Sequence, residues 1–306
     1  NTVCFMGDDG NDKEGNVHMA EADAAAEQIV QAHYPYYNVK KIYWDAYNRV
    51  TSSTGNRYPE VEQSVQLARQ AGIRNLSLDL MFGLPGQDLA QWRESLEAAL
   101  SLRPQHLSCY SLIPEEGTPL QAELNAGALT LPPEELEREM YRLAEELSMA
   151  AGMRQYEISS FALPGYECRH NLGYWRPGEW LGLGAAAASM QRDDTGTYAW
   201  IRQVNPPELD DYQRLVQGET ALRTWEEITR REAAFEMMML GLRTTQGVEE
   251  AHFTATFGMT VRERFPGERL EKLIEAGLLR CEDGFWRLSR KGMDLQNTVL
   301  LELMEE

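Results

Sequence analysis

The stretch Leu76-Ser77-Leu78-Asp79-Leu80-Met81-Phe82-Gly83-Leu84-Pro85-Gly86-Gln87 decides how the chain is read. Leu76, Leu78, Leu80 and Phe82 alternate with Ser77, Asp79 and Met81, and a period of two is the signature of a strand. Gly83 to Gly86 then turns the chain. Asp88 follows as a helix N-cap, with Gln91 at the third helical position completing a capping box. The helix it opens carries Leu89, Trp92, Leu96 and Leu100 on one face. Strand, glycine turn and amphipathic helix together make half of a βαβ unit.

The same unit recurs on both sides. Val61 to Ala71 is predicted as a helix ended by Gly72. Leu107 to Ile113 is predicted as a strand, Pro133 to Ala151 as a helix, Tyr156 to Ala162 as a strand, and Trp180 to Ser189 as a glycine-rich strand. Strands separated by long helices predict parallel pairing, in a doubly wound sheet or a barrel. Beyond about Asn205 the texture changes. Helices are expected over Glu226 to Leu242 and Arg269 to Ala276. Glu282-Asp283-Gly284 reads as a hairpin turn, and a final helix follows Ser289. These divisions predict an atypical segment over 1–60, an α/β portion over 61–205 and a small helical, winged-helix-like domain over 206–306. Within 1–60, Gly7 to Asn16 reads as an acidic loop, Ala20 to Ala32 as a helix and Thr51 to Arg57 as a linker. Tyr34 to Tyr47 shows no clean period.

Charge and composition exclude several classes of function. The chain of 306 residues carries 29 Lys and Arg against 48 Asp and Glu, a net of −19. Such a surface repels phosphate backbones and anionic lipid. Even the winged segment, residues 210–306, holds 13 basic against 19 acidic residues, a net of −6, which argues against DNA. The longest nearly apolar run, Trp180 to Met190, falls well short of the roughly 20 residues that span a bilayer. No leader-like segment opens the chain, and a cytoplasmic protein is expected. It begins at Asn1 rather than Met, as a fragment would. Cys4, Cys109, Cys168 and Cys281 lie 105, 59 and 113 residues apart, so no pair has the C-x2-C or C-x3-C spacing of a local metal site.

Three places could carry chemistry. Asp79 is expected on the inward face of an interior strand, where a carboxylate must be paired or must serve a ligand. Cys168-Arg169-His170-Asn171-Leu172-Gly173-Tyr174-Trp175 is expected in a loop. There it offers a neutral imidazole and flat aromatic faces for a planar cofactor, or simply a hydrogen-bonding histidine. Gly182 to Ser189, nearly free of side chains, suits close approach of a ligand or tight packing of the backbone.

LSLDLMFGLPGQ (76–87), HLSCYSLIPEEGTPL (106–120), YEISSFALPGYECRHNLGYW (156–175) and GLGAAAAS (182–189) resemble the radical SAM family of oxygen-independent coproporphyrinogen III oxidase and its relatives. The HNLGYW segment, His170 to Trp175, resembles the HNxxYW motif of that family's haem-chaperone subgroup. GLRTTQGV (241–248) and LEKLIEAGLL (270–279) resemble the family's C-terminal domain. The resemblance implies a partial (β/α) barrel that binds S-adenosylmethionine, with Asp79 in contact with that ligand and Ala188 near it, although the subgroup commonly has His at the latter position. It implies haem as a ligand, with His170 the candidate axial donor to iron, Cys168 its rival, and Tyr174 and Trp175 around the ring. It further implies an unknown haem-accepting partner protein and a possible dimer. An oxidase in porphyrin biosynthesis, or a truncated non-functional member, is the alternative. The family's C-x3-C-x2-C loop, which holds a [4Fe–4S] cluster, is not found before Val61. A truncated or rearranged member is therefore expected.

Overall fold

The computed structural model describes residues 2–7, 38–43 and 59–304, with side chains from Val61 onward. The expectations for Gly7 to Asn16, Ala20 to Ala32 and Thr51 to Arg57 lie essentially outside the described residues. The chain divides into two compact units, 1–76 and 77–306. In the first, β1 (Thr2–Gly7) and β2 (Asn38–Tyr43) pair in parallel, from Thr2 opposite Asn38 to Gly7 opposite Tyr43. Helix α1 (Pro59–Gln70) follows.

The second unit begins with the decisive strand. β3 (Ser77–Phe82) pairs in parallel with β4 (His106–Ser111), and α2 (Leu89–Ser101) crosses between them. The capping box at the start of α2 is present: the Asp88 carboxylate accepts from the Gln91 N–H at 2.8 Å, and the Gln91 side chain accepts from the Asp88 N–H at 3.0 Å. Gly83 and Gly86 both have φ of +73°, the left-handed backbone that makes glycine the fitting residue in this turn. α3 (Pro119–Asn125) and α4 (Glu134–Ala150) lead to β5 (Arg154–Glu157) and β6 (Ser160–Ala162). The sheet order is β3-β4-β6-β5. Its core holds Phe82, Trp92, Leu96, Leu107, Met140, Leu143 and Phe161. Trp92 is fully buried, and its indole N–H donates to the Met140 carbonyl at 2.8 Å, so the ring carries no unsatisfied donor into the core.

Two expectations are corrected here. Tyr156 to Ala162 is not one strand but the tight antiparallel pair β5–β6, and β6 also runs antiparallel to β4. Of this sheet, only β3–β4 is parallel. A short run of β-formers interrupted at Ile158-Ser159 reads as continuous in sequence, yet the chain reverses there.

Helix α5 (Arg169–Trp175) precedes a second sheet of β7 (Ala188–Arg192), β8 (Trp200–Val204) and β9 (Thr224–Ile228), in that order and antiparallel throughout. α6 (Leu209–Val216) lies between β8 and β9. The glycine-rich stretch is therefore mostly not a strand. Trp180 makes a single bridge to Met190, and a Cβ on Gly182 would collide with the Ala188 carbonyl. Close backbone packing accounts for this glycine. Glu226 to Ile228 belongs to β9, and α7 (Arg230–Gly241) begins after it at a Thr229–Glu232 capping box.

The remainder is helical with a small wing. α8 (Glu250–Phe257), α9 (Val261–Arg264) and α10 (Gly267–Glu275) pack beside β10 (Val248–Glu249), β12 (Phe285–Leu288) and β11 (Leu279–Glu282), ordered β10-β12-β11. Asp283 and Gly284, at φ +53° and +77°, make the expected two-residue hairpin. The final helix is broken at Leu295 into α11 (Arg290–Asp294) and α12 (Gln296–Leu303). A second core, centred on Trp200, Met238, Phe253, Phe265, Leu270 and Trp286, unites these elements.

Candidate functional site

Within the second unit, the two cores leave a cavity of 920 Å³ between them, at the upper end of the usual range for ligand sites. Its wall takes Asp79 from β3, Ser108 and Tyr110 from β4, Glu157 to Ser160 from the β5–β6 turn, and Asn171, Tyr174 and Trp175 from α5. Ile113, Glu134 at the start of α4, Arg243 just after α7, and residues Met293 to Thr298 around the α11–α12 break complete it. Backbone bonds tie these pieces together. The Thr245 N–H donates to the Tyr156 carbonyl at 3.0 Å, and Glu157 bridges to Thr244. Arg142 of α4 pairs with Asp294 at 3.4 Å.

Asp79 lies on the exposed face of β3 rather than in the interior, which corrects the expectation of a buried carboxylate. Leu78, Leu80 and Phe82 pack into the core, and the alternation sends Asp79 into the open cavity. Its nearest polar contact is Ser77 Oγ at 3.4 Å. An exposed, weakly held carboxylate has free lone pairs to offer a ligand.

Behind Asp79 runs a polar relay. Ser77 Oγ lies 2.8 Å from His106 Nδ1, and His106 Nε2 lies 2.7 Å from the Tyr156 hydroxyl. Burial lowers the His106 pKa, against the opposing pull of Asp79. Both ring nitrogens are thus engaged, Nδ1 by Ser77 and Nε2 by Tyr156. Burial also pushes the Cys109 thiol up to about 12, with Asp79 adding to the effect. Cys109 is a buried core thiol, 1% exposed, packed in the first core. Glu157, 2% exposed, is likewise pushed up by burial, against the favourable pull of Ser160, the Ser159 N–H and the Trp175 indole.

HNLGYW is a helix, not a loop. Seven residues form α5 with Cys168 at its N-cap and no side-chain capping bond. The helical turn places Asn171, Tyr174 and Trp175 on the cavity wall. His170 is exposed and is not among the lining residues; one turn before Tyr174, it meets that ring edge-on at 5.0 Å. Tyr174 in turn meets Trp180 at 5.4 Å. Cys168 and Ala188, the latter exposed in β7, also lie outside the lining. The structure thus gathers Asp79, Tyr174 and Trp175 in one cavity and sets His170, Cys168 and Ala188 apart from its wall. Sequence reasoning passed over Arg243, Glu157 and Gln296. Arg243 was visible only as one letter inside GLRTTQGV.

Comparison with known proteins bears on these motifs. Residues 228–295 match the model of the HemN C-terminal domain. The chain is 38% identical to the heme chaperone HemW of Bacillus subtilis over 245 residues, covering 80% of this chain and 62% of that protein. It is 30% identical to the heme chaperone HemW of Escherichia coli, covering 79% and 61%. Over about four-fifths of its length the chain is similar to the HemW-type members of the radical SAM, coproporphyrinogen III oxidase-like family. It spans about three-fifths of the length of these HemW relatives. The solved coproporphyrinogen III oxidase of Escherichia coli, described as a radical SAM enzyme, shares the fold at a TM-score of 0.63 and 18% identity, covering 81% of this chain and 59% of the oxidase. The fold is therefore an α/β partial barrel of radical SAM type followed by a small helical and winged portion. Residues 1–77 match the model of Peptidase family C25. That match ends where the contacts divide, at Leu76 and Ser77. The HemW match is longer than 77–306, so it reaches back into the preceding residues.

The described residues do not fit a [4Fe–4S] cluster. Cys109 is in β4, Cys168 before α5 and Cys281 in the wing, and among the described residues no group of three His, Cys, Asp or Glu side chains converges as a metal site. Among the described residues, no helix is long and apolar enough to cross a membrane.

Proposed function

We propose that this chain is a haem-binding protein of HemW type, which holds haem beside α5 for transfer to an accepting protein and takes S-adenosylmethionine in the cavity at Asp79. The observation that carries the reading is the helix formed by HNLGYW, which turns Tyr174 and Trp175 into the cavity that Asp79 enters from β3. His170 would donate its imidazole to haem iron, and its contact with Tyr174 would hold the ring in place. Tyr174 and Trp175 would cover one side of the macrocycle. Asp79 would accept hydrogen bonds from the amino or hydroxyl groups of S-adenosylmethionine. No radical step is part of this proposal, because the described donor set does not hold the cluster that would start one.

Haem titration of the parent, His170→Ala and Cys168→Ala chains under reducing conditions tests it. The parent is expected to develop a Soret band that His170→Ala shifts and weakens. An unchanged band and affinity in His170→Ala would remove the histidine from the iron. A change confined to Cys168→Ala would assign the thiolate instead.

A further inference from the structure

We propose that Arg243, Gln296 and the first turn of α12 form a carboxylate subsite in this cavity, which takes a propionate of the bound porphyrin. The inference rests on the haem reading above and adds how the ring would be oriented.

Arg243 is the one basic residue among the described residues lining the cavity. Four carboxylates share that wall. Two of them are matched: Glu134 with Arg138 at 2.6 Å and Asp294 with Arg142 at 3.4 Å. Arg243 makes no ion pair or side-chain hydrogen bond with a described residue, and its Nε is buried without a partner. In a chain with 48 acidic residues, a half-buried guanidinium left unpaired is costly unless something else completes it. Its position is fixed, since it stacks over the Trp175 ring at 5.6 Å.

Gln296 supplies the second, independent observation. It is 5% exposed, lines the same cavity, and its Nε2 has no partner. Gln296 also opens α12, whose N-cap residue, Leu295, gives no side-chain hydrogen bond. The first N–H groups of a helix have no intrahelical acceptor and carry the positive end of its dipole. A guanidinium fork, a buried amide and backbone N–H groups are all donors, and a carboxylate is the acceptor whose two oxygens suit them. The propionates are the ionised carboxylates of haem. Trp175, under Arg243, belongs to the same short helix as His170, so one ring could reach both.

The test compares haem with haem dimethyl ester, whose propionates are blocked, in micellar buffer. The chains are the parent, Arg243→Gln, Arg243→Lys and Gln296→Leu, each checked for folding by circular dichroism. The parent is expected to bind haem about tenfold or more tighter than the ester. Arg243→Gln should abolish that preference, Gln296→Leu should reduce it, and Arg243→Lys should restore part of it, because the charge survives and the fork does not. A parent without preference, or an Arg243→Gln chain that keeps it, overturns the subsite while leaving haem binding intact. A parent that takes up neither compound overturns the haem reading and the propionate assignment with it. If Arg243→Gln instead loses affinity for S-adenosylmethionine and keeps the haem preference, the carboxylate is that of the methionine end, and the propionate assignment fails.

Discussion

The guanidinium of Arg243 stacks over the Trp175 indole with its central carbon 5.6 Å from the ring centre, joining the turn after α7 to the helix formed by HNLGYW. A cation over an indole is worth about 0.5–1 kcal/mol when exposed and about 2 when desolvated. A double-mutant cycle of Arg243→Gln and Trp175→Leu, read by urea unfolding, should therefore give a coupling of roughly 0.5–2 kcal/mol. Additive losses would mean that the pair does not hold the helix in place.

The chain, reconstituted anaerobically with iron and sulfide, is expected to hold no stable [4Fe–4S] cluster. Three converging thiolates are needed, and among the described residues Cys109 in β4, Cys168 before α5 and Cys281 in β11 do not converge. Cys109 is also buried in the core of the β3-β4-β6-β5 sheet, 1% exposed. Iron at about four atoms per chain, with absorption bleached by dithionite, would refute this.

Asp79→Ala should weaken S-adenosylmethionine binding by about 1.5 kcal/mol, the low end for a charged hydrogen bond, because the carboxylate faces open solvent. Calorimetry on both chains measures it. The fold should be untouched, since Asp79 makes one long contact to Ser77. Equal affinities in the two chains would take Asp79 out of the site.

Two buried groups give the stability a pH dependence of opposite signs. His106 is lowered in the fold from 6.5, so the unfolded chain takes up its proton first. Its contribution is complete above 6.5 and is lost as the pH falls through that value toward the folded pKa. Glu157 is raised from 4.5, so the unfolded chain ionises first, and stability declines as the pH rises from 4.5 toward the folded pKa. Urea midpoints of Glu157→Gln against the parent should accordingly diverge in favour of the variant between about pH 4.5 and neutrality. A difference independent of pH would show that Glu157 is not titrating in that window.

How much of this was legible in the sequence follows from the range of the forces involved. The β3 alternation, the Asp88–Gln91 capping box, the Asp283-Gly284 turn and the apolar face of α4 depend on residues within one or two turns of each other, and local period encodes them. Strand direction is not local. The reversal at Ile158-Ser159 and the three antiparallel strands beginning at Ala188 depend on which partner is near. α5 shows the same limit. Seven residues without a side-chain cap are too short to hold a helix alone, and the aromatic contacts of Tyr174 and Trp175 keep them in it. The cavity lies furthest from the sequence. Asp79, Glu157, Trp175, Arg243 and Gln296 share one wall because two separate cores close against each other, and no spacing along the chain records that meeting. Sequence by itself determined the family's motifs and most of the helices. The tertiary structure alone decided that Asp79 faces the cavity and that Arg243, stacked on Trp175, has no ionic or hydrogen-bonding side-chain partner among the described residues, because exposure and pairing are properties of neighbours brought together by the fold.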